Sequence, residues 1–188
     1  RPGVKTRDKK GISVMANGPR IPNLIQDIKN YFGQSVKVLD VQSDADMCVW
    51  GEEYAKNGSL RNISNAYYLG GGTGIADGLK LNSKILSFDE ESDWIAKCWE
   101  FKLKNGNSLE SLISMAGIIN KKNSLEEICN NIGLFLFDRL CTVHKGGSPK
   151  FKVGRPLSDT HPFKGILLDR IIIGQRLGEY FSSEPGNI

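Results

Sequence analysis

The sequence is poor in the residues that build metal sites and disulfide frameworks. Only two of its 188 residues are histidine, and none of its four cysteines (Cys48, Cys98, Cys129 and Cys141) forms a C-x-x-C pair. This spacing predicts neither a zinc site nor a disulfide-stapled fold. No apolar run approaches the ~18 residues of a membrane-spanning helix, and no stretch has the pattern of a secretory signal. We therefore expect a cytoplasmic protein with no membrane partner.

Excess charge of one sign is confined to one end of the chain. The first ten residues carry five basic side chains and one acidic side chain, which accounts for the whole formal net charge of +4. Because the remaining residues are balanced, the charge pattern does not favour a nucleic-acid partner. The chain opens with Arg1 among charged residues and stops at Ile188 just after a predicted strand, so we expect a piece of a larger protein.

The hydrophobic pattern is typical of a folded α/β protein. With 39% hydrophobic and 24% charged residues, the chain can build one domain or two small lobes. Strands alternate with helices and include one hairpin, which predicts a mixed β-sheet. The predicted strands cover 12–16, 36–41, 66–69, 78–81, 84–88 and 166–174, and the predicted helices cover 24–32, 44–57, 109–119 and 124–143.

A cluster of glycines follows the predicted strand at 66–69. Glycine tolerates positive φ, so successive N–H groups in the segment Gly70–Gly74 can point into one anion-binding concavity, and Thr73 adds a hydroxyl donor. The segment is not a P-loop, because no Lys-Ser/Thr pair follows it, and Ile75 and Asp77 break the dinucleotide-binding pattern. The alternative interpretation is a tight turn without a ligand.

Asp44 follows the predicted strand at 36–41 and begins a predicted helix. The helix dipole and the free N–H groups of the first turn favour its ionised carboxylate. An ionised aspartate at this place can accept a proton from a substrate hydroxyl, so Asp44 is a candidate general base. The alternative role is an ordinary helix cap.

Four segments of the chain resemble motifs of the ROK family of repressors, open-reading-frame proteins and sugar kinases. Ser43–Glu52 (SDADMCVWGE) is similar to the family's NDANxxALGE segment, and Gly72–Leu79 (GTGIADGL) is similar to its GTGIGGGL loop. Gly106–Glu110 (GNSLE) resembles GNxGCLE, and Leu168–Gly174 (LDRIIIG) resembles PExIVIGG. The four segments occur in the family's order and spacing.

The resemblance implies an actin-like (ribonuclease H-like) ATPase fold, with a mixed β-sheet flanked by helices. Residues 1–42 would be the remainder of the small N-terminal lobe, and residues 43–188 the large nucleotide-binding lobe. The implied activity is that of a glucokinase-like enzyme of carbohydrate metabolism, which transfers the γ-phosphate of ATP to a sugar hydroxyl with Mg²⁺. By this resemblance Asp44 is the general base, and the ATP phosphates bind Gly71, Gly72, Thr73 and Gly74. A homodimer is also expected.

The chain departs from the family pattern at three places. The N-terminal DxGGT phosphate loop is absent, and so is the zinc-binding C-x-C-G-x-x-G-C motif, so we expect no structural zinc. The sugar-binding GExGH segment is replaced by DEESDWIAKCWE at 89–100, where Trp94, Trp99 and Glu100 could line a pocket. The alternative for the two tryptophans is a place in the core. Ser43 and Asp46 stand where the family has asparagines, and with Glu100 they are the predicted sugar contacts.

Two other functions remain open at this stage. One is a sugar- or nucleotide-binding protein of the same family without turnover, either a degenerate kinase or a transcriptional regulator. A regulator would need a helix-turn-helix segment, and this sequence shows none. The other is an actin-fold enzyme that acts on a different hydroxyl or acid substrate.

Overall fold

The structure is a computed structural model that describes residues 4–7, 13–15, 20–21, 23–38, 44–103, 105–120, 124–147 and 156–183. Its contacts divide the chain into two compact units, residues 1–43 and residues 44–188. The predicted sugar contact Ser43 lies outside the described residues.

The first unit contains a small antiparallel sheet and one helix. The sheet has the order β1 (Val4–Arg7), β2 (Ser13–Met15), β3 (Arg20–Ile21), and the helix α1 covers Leu24–Phe32. This confirms the predicted helix and the described part of the predicted strand at 12–16. The strand predicted at 36–41 is wrong over 36–38, its described part, because no described strand lies beside this segment to complete the hydrogen bonds.

The second unit is built on a four-stranded mixed sheet, which confirms the predicted α/β class. The sheet has the order β6-β5-β4-β7, with β5 antiparallel to both β4 and β6, and β7 parallel to β4. The predicted buried strand at 166–174 begins only at residue 170, and its side chains are half-buried or exposed because it forms one edge of this sheet. The strands are β4 (Ala66–Gly71), β5 (Ile75–Leu81), β6 (Lys84–Leu86) and β7 (Arg170–Gly174).

Helices flank this sheet on both faces. The helices are α2 (Asp44–Tyr54), α3 (Leu109–Ile113), α4 (Met115–Ile119), α5 (Leu125–Lys145) and α6 (Gln175–Ser182). The Tyr67 ring on β4 lies 6.2 Å from the Phe135 ring on α5, whereas the next residue, Tyr68, packs in a cluster with Val49 on α2. Successive side chains of a strand point to opposite faces, so α5 and α2 cover different faces. None of the described helices is both long and apolar enough to cross a membrane.

Serine hydroxyls cap three of the described helices, with Ser108 accepting from the Ser111 N–H at the start of α3, Ser114 capping α4 and Ser124 capping α5. The hydroxyl of Ser124 accepts a hydrogen bond from the Glu127 N–H at 3.1 Å, which confirms the predicted cap of α5. The single helix predicted at 109–119 is instead two short helices. Ser114 between them has an extended backbone, and its hydroxyl caps α4 by accepting from the Gly117 N–H.

A buried ion pair crosses the core between β5 and α5. Arg139 is fully buried, and its Nη2 donates to Asp77 Oδ2 at 2.9 Å and to the Ala96 carbonyl at 2.7 Å. Asp77 also accepts from the Tyr67 hydroxyl at 2.8 Å and from the Cys98 N–H at 3.0 Å. The pair therefore sits inside a hydrogen-bonded network, which offsets part of its desolvation cost.

Aromatic rings and neutral polar groups complete the surroundings of Arg139. Its guanidinium lies 5.1 to 5.4 Å from the centres of four rings, those of Tyr67, Phe88, Phe101 and Phe135. Burial, reinforced by Asp77, raises the pKa values of Tyr67 and Cys98 well above their ordinary range, so both stay neutral. Burial opposes the charge of Arg139, but Tyr67 and Asp77 outweigh it and raise the pKa of the guanidinium.

Candidate functional site

The glycine-rich segment forms a tight hairpin turn. Because β4 ends at Gly71 and β5 begins at Ile75, the turn itself is Gly72-Thr73-Gly74. The N–H of Gly72 donates to the carbonyl of Gly74 at 2.8 Å, and the carbonyl of Gly72 accepts from the N–H of Met115 at 3.0 Å. The first residue of α4 thus fixes the turn, and Thr73 is exposed at its tip.

The glycines of this segment allow close packing, and they do not adopt a backbone conformation with positive φ. None of the glycines in Gly70–Gly74 has a positive φ, so the conformation expected from the sequence is wrong. A Cβ at Gly71 would instead lie 2.7 Å from the Cβ of Leu177, a fully buried residue of α6. Glycine is therefore needed at the end of β4 because α6 lies directly against the backbone.

Hydrogen-bond donors are available at the tip of the turn. Among the described residues, no acceptor is found for the N–H groups of Thr73 and Gly74, and the Thr73 hydroxyl is exposed. Three donors on two adjacent residues suit an anion such as phosphate. The carboxylate of Glu110 lies 3.2 Å from the position of a Cβ on Gly74, so the turn has a negative charge at its side.

Asp44, the predicted base, is the first residue of α2 and is exposed. Its Oδ1 accepts from the N–H of Ala45 at 3.0 Å, so the carboxylate lies at the helix N-terminus, where the dipole favours its charge. Asp46, two residues on, is 5% exposed and faces the interior. The two aspartates therefore differ in solvent exposure, and of the two it is Asp44 that presents its carboxylate to solvent.

Helix α2 is held against the hairpin by a glycine contact. A Cβ on Gly78 of β5 would overlap Cγ2 of Val49, which is 1% exposed. We expect Gly78→Ala to destabilise the protein by about 1–3 kcal/mol, because α2 must move away from the sheet. The double variant Gly78→Ala with Val49→Ala should recover part of that loss. Urea unfolding of the three variants measures this, and a double variant less stable than either single one would contradict it.

Gln175 links the turn to α2, and sequence reasoning missed it. Its backbone has φ +55°, a left-handed conformation that favours glycine. Its Nε2 donates to Cys48 Sγ at 3.1 Å, and its Oε1 lies 3.5 Å from the position of a Cβ on Gly72. A signal for Gln175 was present in the sequence. The family motif PExIVIGG, which residues 168–174 resemble, has its second glycine at the position where this chain has Gln175.

The electrostatic surroundings of Cys48 connect Asp44 to this contact. Burial raises the pKa of the Cys48 thiol, the hydrogen bond from Gln175 lowers it, and the charges of Asp44 and Glu52 raise it further. The charge of Asp44 thus acts on the cysteine that Gln175 contacts. The structure therefore brings the segment at 44–52 and the glycine turn into one neighbourhood through Gln175.

The segment at 89–100, which stands where the family has its sugar-binding motif, contains both buried and exposed side chains. Trp94 is 2% exposed and packs in the core, as its alternative interpretation held, so its faces are unavailable for stacking on a sugar. Trp99 is 44% exposed, so a core position is wrong for this residue. Glu100 is exposed at the end of a 3₁₀ turn, Cys98–Glu100. No described group of three or more His, Cys, Asp or Glu side chains is arranged to hold a metal ion.

Comparison with known proteins gives no family model and no curated protein that matches the sequence. Solved structures do match at low identity. An inorganic polyphosphate/ATP-glucomannokinase from Arthrobacter sp. strain KM is 17% identical with a TM-score of 0.48, and the match covers 74% of this chain and 50% of that one.

Two further solved kinases are similar in the same way. A ROK family glucokinase from Streptomyces griseus, in complex with glucose and AMPPNP, is 16% identical with a TM-score of 0.44, covering 60% of this chain and 38% of that one. A ROK hexokinase from Thermus thermophilus is 20% identical with a TM-score of 0.34, covering 50% and 36%. The chain thus spans between 36 and 50% of the length of these three structures.

Proposed function

We propose that the chain is part of an ATP-dependent sugar kinase of ROK type with the actin-like ATPase fold. One observation carries this proposal. Gln175 contacts both Cys48 on α2 and the glycine turn, so two segments that resemble the family's motifs are neighbours in space. Such proximity is what a phosphate site and a general base need in order to act on one substrate.

In the proposed reaction, the turn binds the phosphates of ATP and Asp44 activates the sugar. The N–H groups of Thr73 and Gly74 and the Thr73 hydroxyl donate to phosphate oxygens. Asp44 accepts the proton of the sugar hydroxyl that attacks the γ-phosphate. The carboxylate of Glu110 beside Gly74 disfavours a bare anion and suits a phosphate that carries Mg²⁺.

The sugar contacts proposed for the acceptor are Ser43, Asp46 and Glu100. The exposure of Glu100 supports its direct contact with a hydroxyl group, whereas Asp46 is 5% exposed and has little surface for such a contact. The sugar itself, a homodimer and a cytoplasmic location are likewise proposals.

The proposal predicts that ADP is released from ATP only when a suitable sugar is present. A coupled assay with ATP, Mg²⁺ and a panel of hexoses and N-acetylhexosamines measures this release. Thr73→Val should raise the KM for ATP by roughly 10- to 100-fold, because one hydrogen bond to a charged group is worth about 1.5–3 kcal/mol. Thr160→Val, at an exposed position far along the chain, is the matched control and should leave KM unchanged. An unchanged KM in Thr73→Val would remove the turn from the proposed site.

A non-catalytic sugar- or nucleotide-binding protein is the second candidate. Gln175 favours it, because a side chain stands against the turn where the family motif has glycine. Binding of AMPPNP or of a sugar without ADP release in the same panel would select this candidate.

A further inference from the structure

Gln175 adopts a backbone conformation that is unfavourable for a residue with a side chain. Its φ of +55° lies in the left-handed region, where residues other than glycine are strained. The residue begins α6, pairs with Gly71 in an isolated parallel bridge and is exposed. An exposed glutamine contributes little core packing that could offset this strain, and strained residues are common at positions that bind a ligand.

The carboxamide of Gln175 lies along the end of β4, beside the turn. Its Cδ is 3.1 Å from the position of a Cβ on Gly70, and its Oε1 is 3.5 Å from that of a Cβ on Gly72. On the other side, its Nε2 donates to Cys48 Sγ at 3.1 Å. Cys48 follows Asp44 by four residues, so the two side chains lie on the same side of α2. The carboxamide thus lies between the turn and the side of α2 that carries Asp44.

The thiol is a weak partner for this amide donor. Burial raises the pKa of Cys48 more than the hydrogen bond from Gln175 lowers it, so the thiol stays neutral at pH 7. A neutral thiol is a weak acceptor, whereas a charged phosphate oxygen forms hydrogen bonds that are roughly twice as strong as neutral ones. The last torsion of a glutamine is only weakly restricted, so Nε2 can take the place of Oε1 beside the turn.

We propose that Gln175 is a phosphate-binding residue, which exchanges its hydrogen bond to Cys48 for one to a phosphate oxygen when the turn holds a ligand. The inference rests on the proposed function, because it takes the turn as the phosphate site. It adds a donor from α6 to the N–H groups of Thr73 and Gly74. This donor lies on the side of the turn that faces α2, so a phosphoryl group between the turn and Asp44 is held from two directions.

Calorimetric titration of the chain with inorganic tripolyphosphate and with AMPPNP, each with Mg²⁺, tests this role. Gln175→Gly should raise both dissociation constants by roughly 10-fold, the lower end of what a hydrogen bond to a charged group contributes. Gln175→Glu should raise them further, because a carboxylate of the same size repels phosphate. Glu179→Ala, at an exposed position of the same helix, is the control and should bind as the unaltered chain does.

Thermal unfolding separates this role from a structural one. Gln175→Gly removes the left-handed strain, so without ligand its Tm should be no lower than that of the unaltered chain, although it binds phosphate more weakly. Gln175→Asn tolerates the same φ and keeps an amide, but it is one methylene shorter and should bind as weakly as Gln175→Gly. Cys48→Ala removes the thiol acceptor and should bind phosphate at least as tightly as the unaltered chain.

Three results would overturn the inference. Unchanged affinity in Gln175→Gly would give the side chain no part in binding, and a loss in Cys48→Ala equal to that in Gln175→Gly would make the contact with the thiol the essential one. Both leave the proposed function in place if ADP release still depends on sugar. Failure of the unaltered chain to bind either tripolyphosphate or AMPPNP would remove the phosphate site itself, and absence of ADP release from the same preparation would then refute the kinase as well.

Discussion

Replacing Arg139 by Met is expected to lower the free energy of unfolding by about 3–5 kcal/mol, the cost of leaving one partner of a buried ion pair uncompensated. The guanidinium is fully buried and supplies Asp77 with its opposite charge at 2.9 Å. Without it, the partners left to the carboxylate among the described residues are the Tyr67 hydroxyl and the Cys98 N–H. Asp77→Asn should cost a similar amount, because it strands the buried cation.

A double-mutant cycle in urea separates the charge effect from lost packing. Asp77→Asn combined with Arg139→Met should be more stable than Arg139→Met alone, because the amide removes the unpaired charge and can still accept from Cys98. Lys97→Met is the matched control. Its ion pair with Asp89 is partly exposed and should be worth at most about 1 kcal/mol. Additive losses in the cycle would show that the two charges are not coupled.

Under the proposed kinase function, replacing Asp44 by Asn is expected to lower kcat for sugar phosphorylation by roughly 10²- to 10⁴-fold, the usual contribution of a general base. Asn retains an oxygen that can accept from the Ala45 N–H, so the helix start is preserved. The KM values for ATP and sugar should therefore change little. Coupled ADP release at saturating ATP and sugar measures the loss.

Asp93→Asn is the matched control for this variant, since it removes an exposed aspartate from the same unit. It should retain full turnover. Full turnover in Asp44→Asn as well would leave Asp44 as a helix cap and refute its role as the base.

Short sequence patterns correctly predicted the features that are decided by residues close together in the chain, such as turns and helix caps. The hairpin predicted at Asn82-Ser83 forms, and both residues have positive φ, at 50° and 64°, as the favoured two-residue turn requires. Ser124 caps α5 at the predicted position. Such features are decided within a few residues, so a sequence pattern is sufficient to predict them.

Other features have no local signal. The pattern at 109–119 predicts one helix, yet the helix is interrupted at Ser114, and the N–H of Met115 at the start of α4 donates to the Gly72 carbonyl in the turn. Residues 36–38 have a strand pattern but are not in a strand. In both cases a contact with another part of the chain, or the lack of one among the described residues, outweighed the local preference.

By itself the sequence determined the mixed sheet, the hairpin at Asn82-Ser83, most helix positions and the candidates Asp44 and Thr73, because periodicity and turn chemistry act over short distances. Only the tertiary structure decided that Arg139 pairs with Asp77, 62 residues away, and that Gln175 meets Cys48, 127 residues away. It also showed that Gly71 and Gly78 are needed for close packing. These contacts depend on how distant elements pack, and packing excludes a Cβ or places a charge only once the whole unit has folded.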